Sequence, residues 1–103
     1  NGRRCQHPLI VLYVHAQAND YPASRFAFAV GRFLGKATRR NRLKRRLREA
    51  VRQHLDEIRP GFDCLFVARG PSIEASFDDL EAAVAQLLSG SGLVNLDGAR
   101  TGE

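Results

Sequence analysis

Apolar residues along this chain fall into short blocks separated by turn-forming residues. "PLIVLYVH", residues 8–15, is rich in β-branched and aromatic residues and predicts a strand, with Pro8 at its start because proline donates nothing to a ladder. "AQANDYPAS", residues 16–24, predicts a connecting loop through Asn19, Asp20 and Pro22. "RFAFAV", residues 25–30, alternates Phe26, Phe28 and Val30 with Ala27 and Ala29, a period of two that predicts a second strand. These two strands read as an antiparallel pair. After the Gly31–Gly35 turn the period changes. Leu43, Leu47, Ala50, Val51, His54 and Ile58 recur at three- and four-residue steps, predicting one helix from about Thr38 to Ile58 that Pro60 and Gly61 end. "CLFVAR", residues 64–69, is nearly continuous in apolar residues and predicts a strand buried on both faces. Ser76 with Asp79 three positions on predicts a capped helix start, and Phe77, Leu80, Val84, Leu87 and Leu88 form that helix's apolar face. Residues 91–103 lack period and are rich in glycine, which predicts a flexible tail after a single domain of residues 1–90. No internal repeat is visible.

Charge changes this picture more than composition does. The chain has 103 residues, 44% of them apolar, which is enough for one core and too little for two. Its net charge is +5, and residues 25–48 hold ten of the sixteen Lys and Arg with no Asp or Glu. Seven of those cations crowd into residues 39–48. Residues 70–90 hold four acids and no base. Repulsion among like charges on a helix costs a few tenths of a kcal/mol per close pair. A helix held by a continuous apolar stripe bears that cost. Solvated helix faces usually mix signs, so an acid-free basic helix points to a polyanion, and its many Arg forks match phosphates bidentately.

Other chemistry is sparse. Cys5 and Cys64 make neither a disulfide framework nor a metal motif, Cys64 reads as a buried strand residue, and the three His are scattered. A reduced, cytoplasmic setting fits. There is no apolar run long enough to span a membrane and no signal peptide. Asp78 and Asp79 are explained by helix capping, His54 by packing on the apolar stripe, and Phe26, Phe28 and Phe66 by the core. No carboxylate pair, nucleophile or phosphate-binding glycine loop suggests catalysis by the protein. Asn41 has two readings: it braces the flanking Arg or reads a ribose or base edge, or it is an Asn near a helix cap. Tyr13 also has two: a core residue if its strand face is covered, a stacking surface for an unpaired base if that face is open.

The segment "RRNRLKRRLRE" resembles the signature of the bacterial ribonuclease P protein subunit family. "LIVLYV", "SRFAFAVGRFLGKATRRNR", "DCLFVARGP" and "SFDDLEAAVAQLL" resemble the family's further elements in the same order, over about residues 3–90. The resemblance implies an α+β fold. This is a two-layer sandwich of a central, mostly antiparallel sheet, a long basic helix in a left-handed βαβ crossover, and a C-terminal helix. General rules favour a right-handed crossover. It also implies an accessory role. The family's RNA subunit, carrying divalent ions such as Mg, cleaves precursor tRNA to release the 5′ leader, so the protein needs no catalytic residue and holds no metal of its own. Arg40, Asn41 and Arg42 would contact the RNA subunit, supported by Lys44, Arg45 and Arg48, with Arg39, Arg32 and Lys36 nearby. Tyr13 and Phe28 would line the leader cleft. The chain departs from the family pattern in two places. The basic N-terminal helix that walls the cleft is missing, with "NG" its last trace, which implies self-association or a domain swap to cover the sheet. "VGRFLG" replaces the family's Ser and paired Lys, so Gly31 and Phe33 lack the expected phosphate contacts. Two other classes compete: a basic structural RNA-binding protein of ribosomal type, with no leader cleft, and a helix-turn-helix DNA binder, which needs a short second helix.

Overall fold

The computed structural model describes residues 2–17 and 24–94. Four strands form one sheet: β1 (Gly2–Gln6), β2 (Ile10–Ala16), β3 (Arg25–Ala29) and β4 (Phe62–Ala68), in the order β1-β2-β4-β3. The pairs β1–β2 and β2–β4 are antiparallel, and β3–β4 is parallel. Helix α1 (Ala37–Arg52) crosses from β3 to β4, and helix α2 (Phe77–Gly90) follows. The fold is therefore α+β with a mostly antiparallel sheet and a βαβ crossover around the basic helix.

Alternation along the strands decides which face is core. Ile10, Leu12 and Val14 of β2 and Cys64, Phe66 and Ala68 of β4 are buried, and they pack with Leu43, Leu47, Ala50 and Val51 of α1 and with Leu80, Val84, Leu87 and Leu88 of α2. Both helices thus serve one sheet face, giving two layers. Helix α2 starts as predicted: the Ser76 hydroxyl accepts a hydrogen bond from the Asp79 N–H at 3.0 Å, and Asp78 and Asp79 sit at the positive end of the helix dipole.

Five expectations need correction. First, β2 and β3 do not pair. The crossover lays β4 beside β3, and β4, the more apolar strand, takes the position between them. Second, β4 is buried on one face only. Leu65 is 36% exposed on the other face, because no helix packs there. A continuous apolar run does not distinguish the two cases. Third, α1 stops at Arg52. A 3-10 turn at Leu55–Glu57 follows, and Ile58 bridges to Val94 while the Arg59 N–H donates to the Leu93 carbonyl at 2.8 Å. The apolar stripe continues through this turn because Ile58 still faces the core. Fourth, the domain does not end at residue 90. Leu93 and Val94 are buried, and only residues 95–103 of the expected tail lie outside the described residues. Fifth, Gly2, read with Asn1 as the trace of a helix, opens an edge strand, Gly2–Gln6, that the sequence reading did not assign. Cys5 is its one strongly apolar side chain, too weak a signal for a strand.

Cys64 is buried as expected, and Cys5 is half-buried; both are free thiols. Burial, with a smaller contribution from the neighbouring Asp63 charge, pushes the Cys64 thiol from 9.0 up to about 11. A raised value means that the folded state holds the proton more tightly than the unfolded state does. The resulting stability is complete below pH 9 and is lost as pH rises through 9 toward 11. Thermal melts across this range should therefore fall more steeply for the parent than for Cys64→Ala, once normalised to pH 7. Parallel curves would show that the thiol is not desolvated.

Candidate nucleic-acid interface

Helix α1 presents its cations without neutralisation. No side chain caps its N-terminus, and no acid lies in its first turn. The positive end of the helix dipole and the first-turn Arg39 and Arg40 therefore add to one another, an arrangement that favours an anion. Among the described residues no carboxylate forms a salt bridge with Arg32, Lys36 or any cation from Arg39 to Arg48; the first pair on the helix is Arg52 with Glu49, at 3.1 Å.

Successive helix positions are about 100° apart, so Arg40, Asn41 and Arg42 diverge. Arg40 is half-buried, and its Nε donates to the Gly35 carbonyl at 3.0 Å. Asn41 is exposed and lies toward the side of Arg45 and Arg48. Arg42 joins Arg39 and Arg46 along a notch of about 280 Å³ against Ile73, Glu74 and Ala75, where Arg46 donates to the Ala75 carbonyl at 3.2 Å. Arg45, Arg48 and Arg52 border a second groove, of about 480 Å³, beside Phe26 and Phe28 of β3. Lys44 is half-buried. The helix thus carries two basic flanks rather than one outward face.

The uncovered sheet face forms a hollow of about 630 Å³. Strand register builds it. One row across the sheet reads Arg4, Tyr13, Leu65, Ala27, and the next reads Gly2, His15, Asp63, Arg25. Neighbouring strands lie ~4.8 Å apart, so each row spans about 15 Å. Tyr13 is 41% exposed here, so its strand face is open and its side chain is not part of the core. Gly2 and Ala27 leave room at the edges. The lone acid of the floor is paired: Arg25 donates twice to Asp63 at 2.8 Å, and Gln17 adds a third bond at 3.1 Å. These bonds, Arg25 first, hold the Asp63 carboxyl down at about 2, so it stays ionised and matched at neutral pH.

Phe28 does not share this hollow. Its ring stacks on Phe66 on the helix-bearing face, with centroids 5.5 Å apart and planes 16° from parallel, and the Arg48 guanidinium lies 5.8 Å above it. Period two places Phe28 and Tyr13 on opposite faces, so the pairing of the two in one cleft is corrected. Arg4, His15, Arg25 and Leu65 were not singled out in the sequence. Their strand partners create the site, and nothing local marks them. His54 is packed rather than free, with its ring nitrogens 3.4 Å from Glu57 and 3.5 Å from Glu81.

Comparison with known proteins follows the same lines. A family model described as Ribonuclease P matches residues 1–91. A Ribonuclease P protein component of Roseiflexus castenholzii is 44% identical over 85 residues, covering 82% of this chain and 70% of that protein. The RNase P protein of Thermotoga maritima is 32% identical and superposes with a TM-score of 0.75, covering 84% of this chain and 81% of that one. A Staphylococcus aureus RNase P protein superposes with a TM-score of 0.81 over 91% of this chain and 84% of that one; at 23% identity it is similar in fold alone.

Proposed function

The chain belongs to the ribonuclease P protein family, and from that premise we propose that it is the RNA-binding protein subunit of the endoribonuclease that matures tRNA 5′ ends. Helix α1 docks on the catalytic RNA through Arg40, Asn41 and Arg42, with Lys44, Arg45 and Arg48 in support and Arg39, Arg32 and Lys36 at the helix start. The open sheet face takes the single-stranded 5′ leader of precursor tRNA. One observation carries this reading: an unneutralised basic helix and an aromatic-bearing hollow with basic edges occur on one small domain. Single-stranded RNA needs both, a π-face for its bases and cations for its phosphates.

The protein's part is binding and positioning. Tyr13 offers its exposed ring to a leader base, and Arg4 flanks it for a phosphate, while Arg25 stays paired with Asp63. Divalent ions, Mg in the first place, belong to the RNA subunit in this reading. Among the described residues no three His, Cys, Asp or Glu side chains converge as a metal site. No helix among the described residues is long and apolar enough to cross a membrane.

The test is a cleavage and binding assay with a ribonuclease P RNA. The protein should promote leader removal and favour precursor over mature tRNA. Tyr13→Ala should reduce that preference by roughly 5- to 150-fold, the range for one stacked base, while leaving affinity for the RNA subunit alone near the parent value. Equal affinity for precursor and mature tRNA would leave a structural RNA-binding protein of ribosomal type. The hollow is also where a second copy would sit in a self-associated form. A monomeric mass by analytical ultracentrifugation at micromolar protein would leave it open to the leader.

A further inference from the structure

Phe33 has no part in the site described so far. It is 77% exposed, the most open of the large apolar side chains among the described residues, and it does not line the Tyr13 hollow. One exposed apolar residue ordinarily needs no explanation. Three features set this one apart. Its backbone is fixed: in the 3-10 turn Arg32–Leu34 the Leu34 N–H donates to the Gly31 carbonyl at 3.0 Å and the Gly35 N–H to the Arg32 carbonyl at 3.2 Å, while Leu34 is buried as an anchor. Its ring has a made seat: a Cβ at Gly31 would stand 2.6 and 2.8 Å from two Phe33 ring carbons, nearer than real contacts allow. Gly31 has φ −68° and ψ 157°, a backbone that any residue adopts. Glycine therefore makes room here for the ring rather than for the turn, and a Cβ would push the exposed ring aside. Finally, Arg32, Lys36, Arg39 and Arg40 lie within seven residues of Phe33 along the chain, in a segment that has no acid from residue 25 to 48.

We propose that Phe33, seated on Gly31, is a stacking platform for an unpaired base of the ribonuclease P RNA subunit. This rests on the reading of α1 as the helix that docks on that RNA. An apolar protein surface would have to desolvate the neighbouring cations without partners, which is costly. An RNA strand presents a π-face to the ring and phosphates to the arginines at once. Because Phe33 lies in the turn that leads into α1 and outside the leader hollow, its base comes from the RNA subunit and not from the leader.

The chain has no Trp, so Phe33→Trp installs a single fluorescent reporter at this position. With the RNA subunit alone, Phe33→Trp should keep the parent affinity and its emission should be quenched on binding. Phe33→Ala should bind roughly 5- to 150-fold more weakly with an unchanged salt slope, as expected for lost stacking. Arg42→Ala should instead lower the slope by about 1, as expected for a lost phosphate contact. Gly31→Ala, whose Cβ displaces the ring, should weaken binding in the same salt-independent way. Thermal melts of Phe33→Ala and Arg42→Ala should match the parent, because neither side chain is in the core. Phe33→Ala binding within twofold of the parent, while Arg42→Ala binds poorly, would overturn the platform and leave docking through α1 intact. Quenching that appears only after precursor tRNA is added would overturn the assignment to the RNA subunit. No binding of the parent to the RNA would overturn both.

Discussion

Affinity for the RNA subunit should fall by roughly 250- to 1,000-fold as monovalent salt rises from about 50 to 200 mM. The figure comes from the unneutralised segment. Arg32, Lys36, Arg39, Arg42, Arg45 and Arg48 are all exposed and have no carboxylate partner among the described residues. If these six each displace a counterion from a phosphate, the log–log slope is about −4 to −5. The uncapped start of α1 adds to the field but not to the count, because it carries no discrete charge. Binding isotherms at four or five salt concentrations give the slope directly. A curve that is flat over this range would mean that the cations are solvated spectators and that α1 is not the docking helix. Since each phosphate contact contributes nearly equally, single Arg→Ala variants should each lower the slope by about one.

The second large effect is on stability. Leu47 is fully buried at the centre of the α1 stripe, packed within the cluster that joins both helices to the sheet. Leu47→Ala should cost about 2–5 kcal/mol, through lost transfer energy and the cavity left behind. For a domain of this size that is a large share of the total and lowers the melting temperature by on the order of 10–30 °C. Arg45→Ala, two positions earlier on the exposed side, should leave the melt unchanged and weaken RNA binding. Chemical denaturation of the two variants alongside the parent measures both. The opposite result, a harmless Leu47→Ala and an unfolded Arg45→Ala, would mean that the buried face of α1 is assigned wrongly. The pair separates what folds the helix from what the helix does. Its stripe holds it in place, and the charges it then displays would by themselves favour an extended, solvated chain.

Much was legible in the sequence for a local reason. The elements β2, β3, α1, β4 and α2 appear in the predicted order because each has a period or a cap written into adjacent residues, as in Phe26–Ala27–Phe28 or Ser76 with Asp79. The basic helix is legible too: charge is a property of composition, and seven cations without an acid need no fold to be recognised. What tertiary structure alone decided is which strands meet and which face stays open. Nothing near β2 or β3 says that β4 will come between them; that follows from the α1 crossover. Nothing in "CLFVA" says that one face will lack a cover; that follows from both helices packing on the same side. The consequences reach the candidate site. Phe28 moved from the leader hollow to the core side, Arg4, His15, Arg25 and Leu65 entered it, and Leu93 and Val94 joined the core. Hydrophobic periodicity tells a residue's face relative to its own element, while a hollow is built from register between elements 50 residues apart, and that information exists only once the chain has closed.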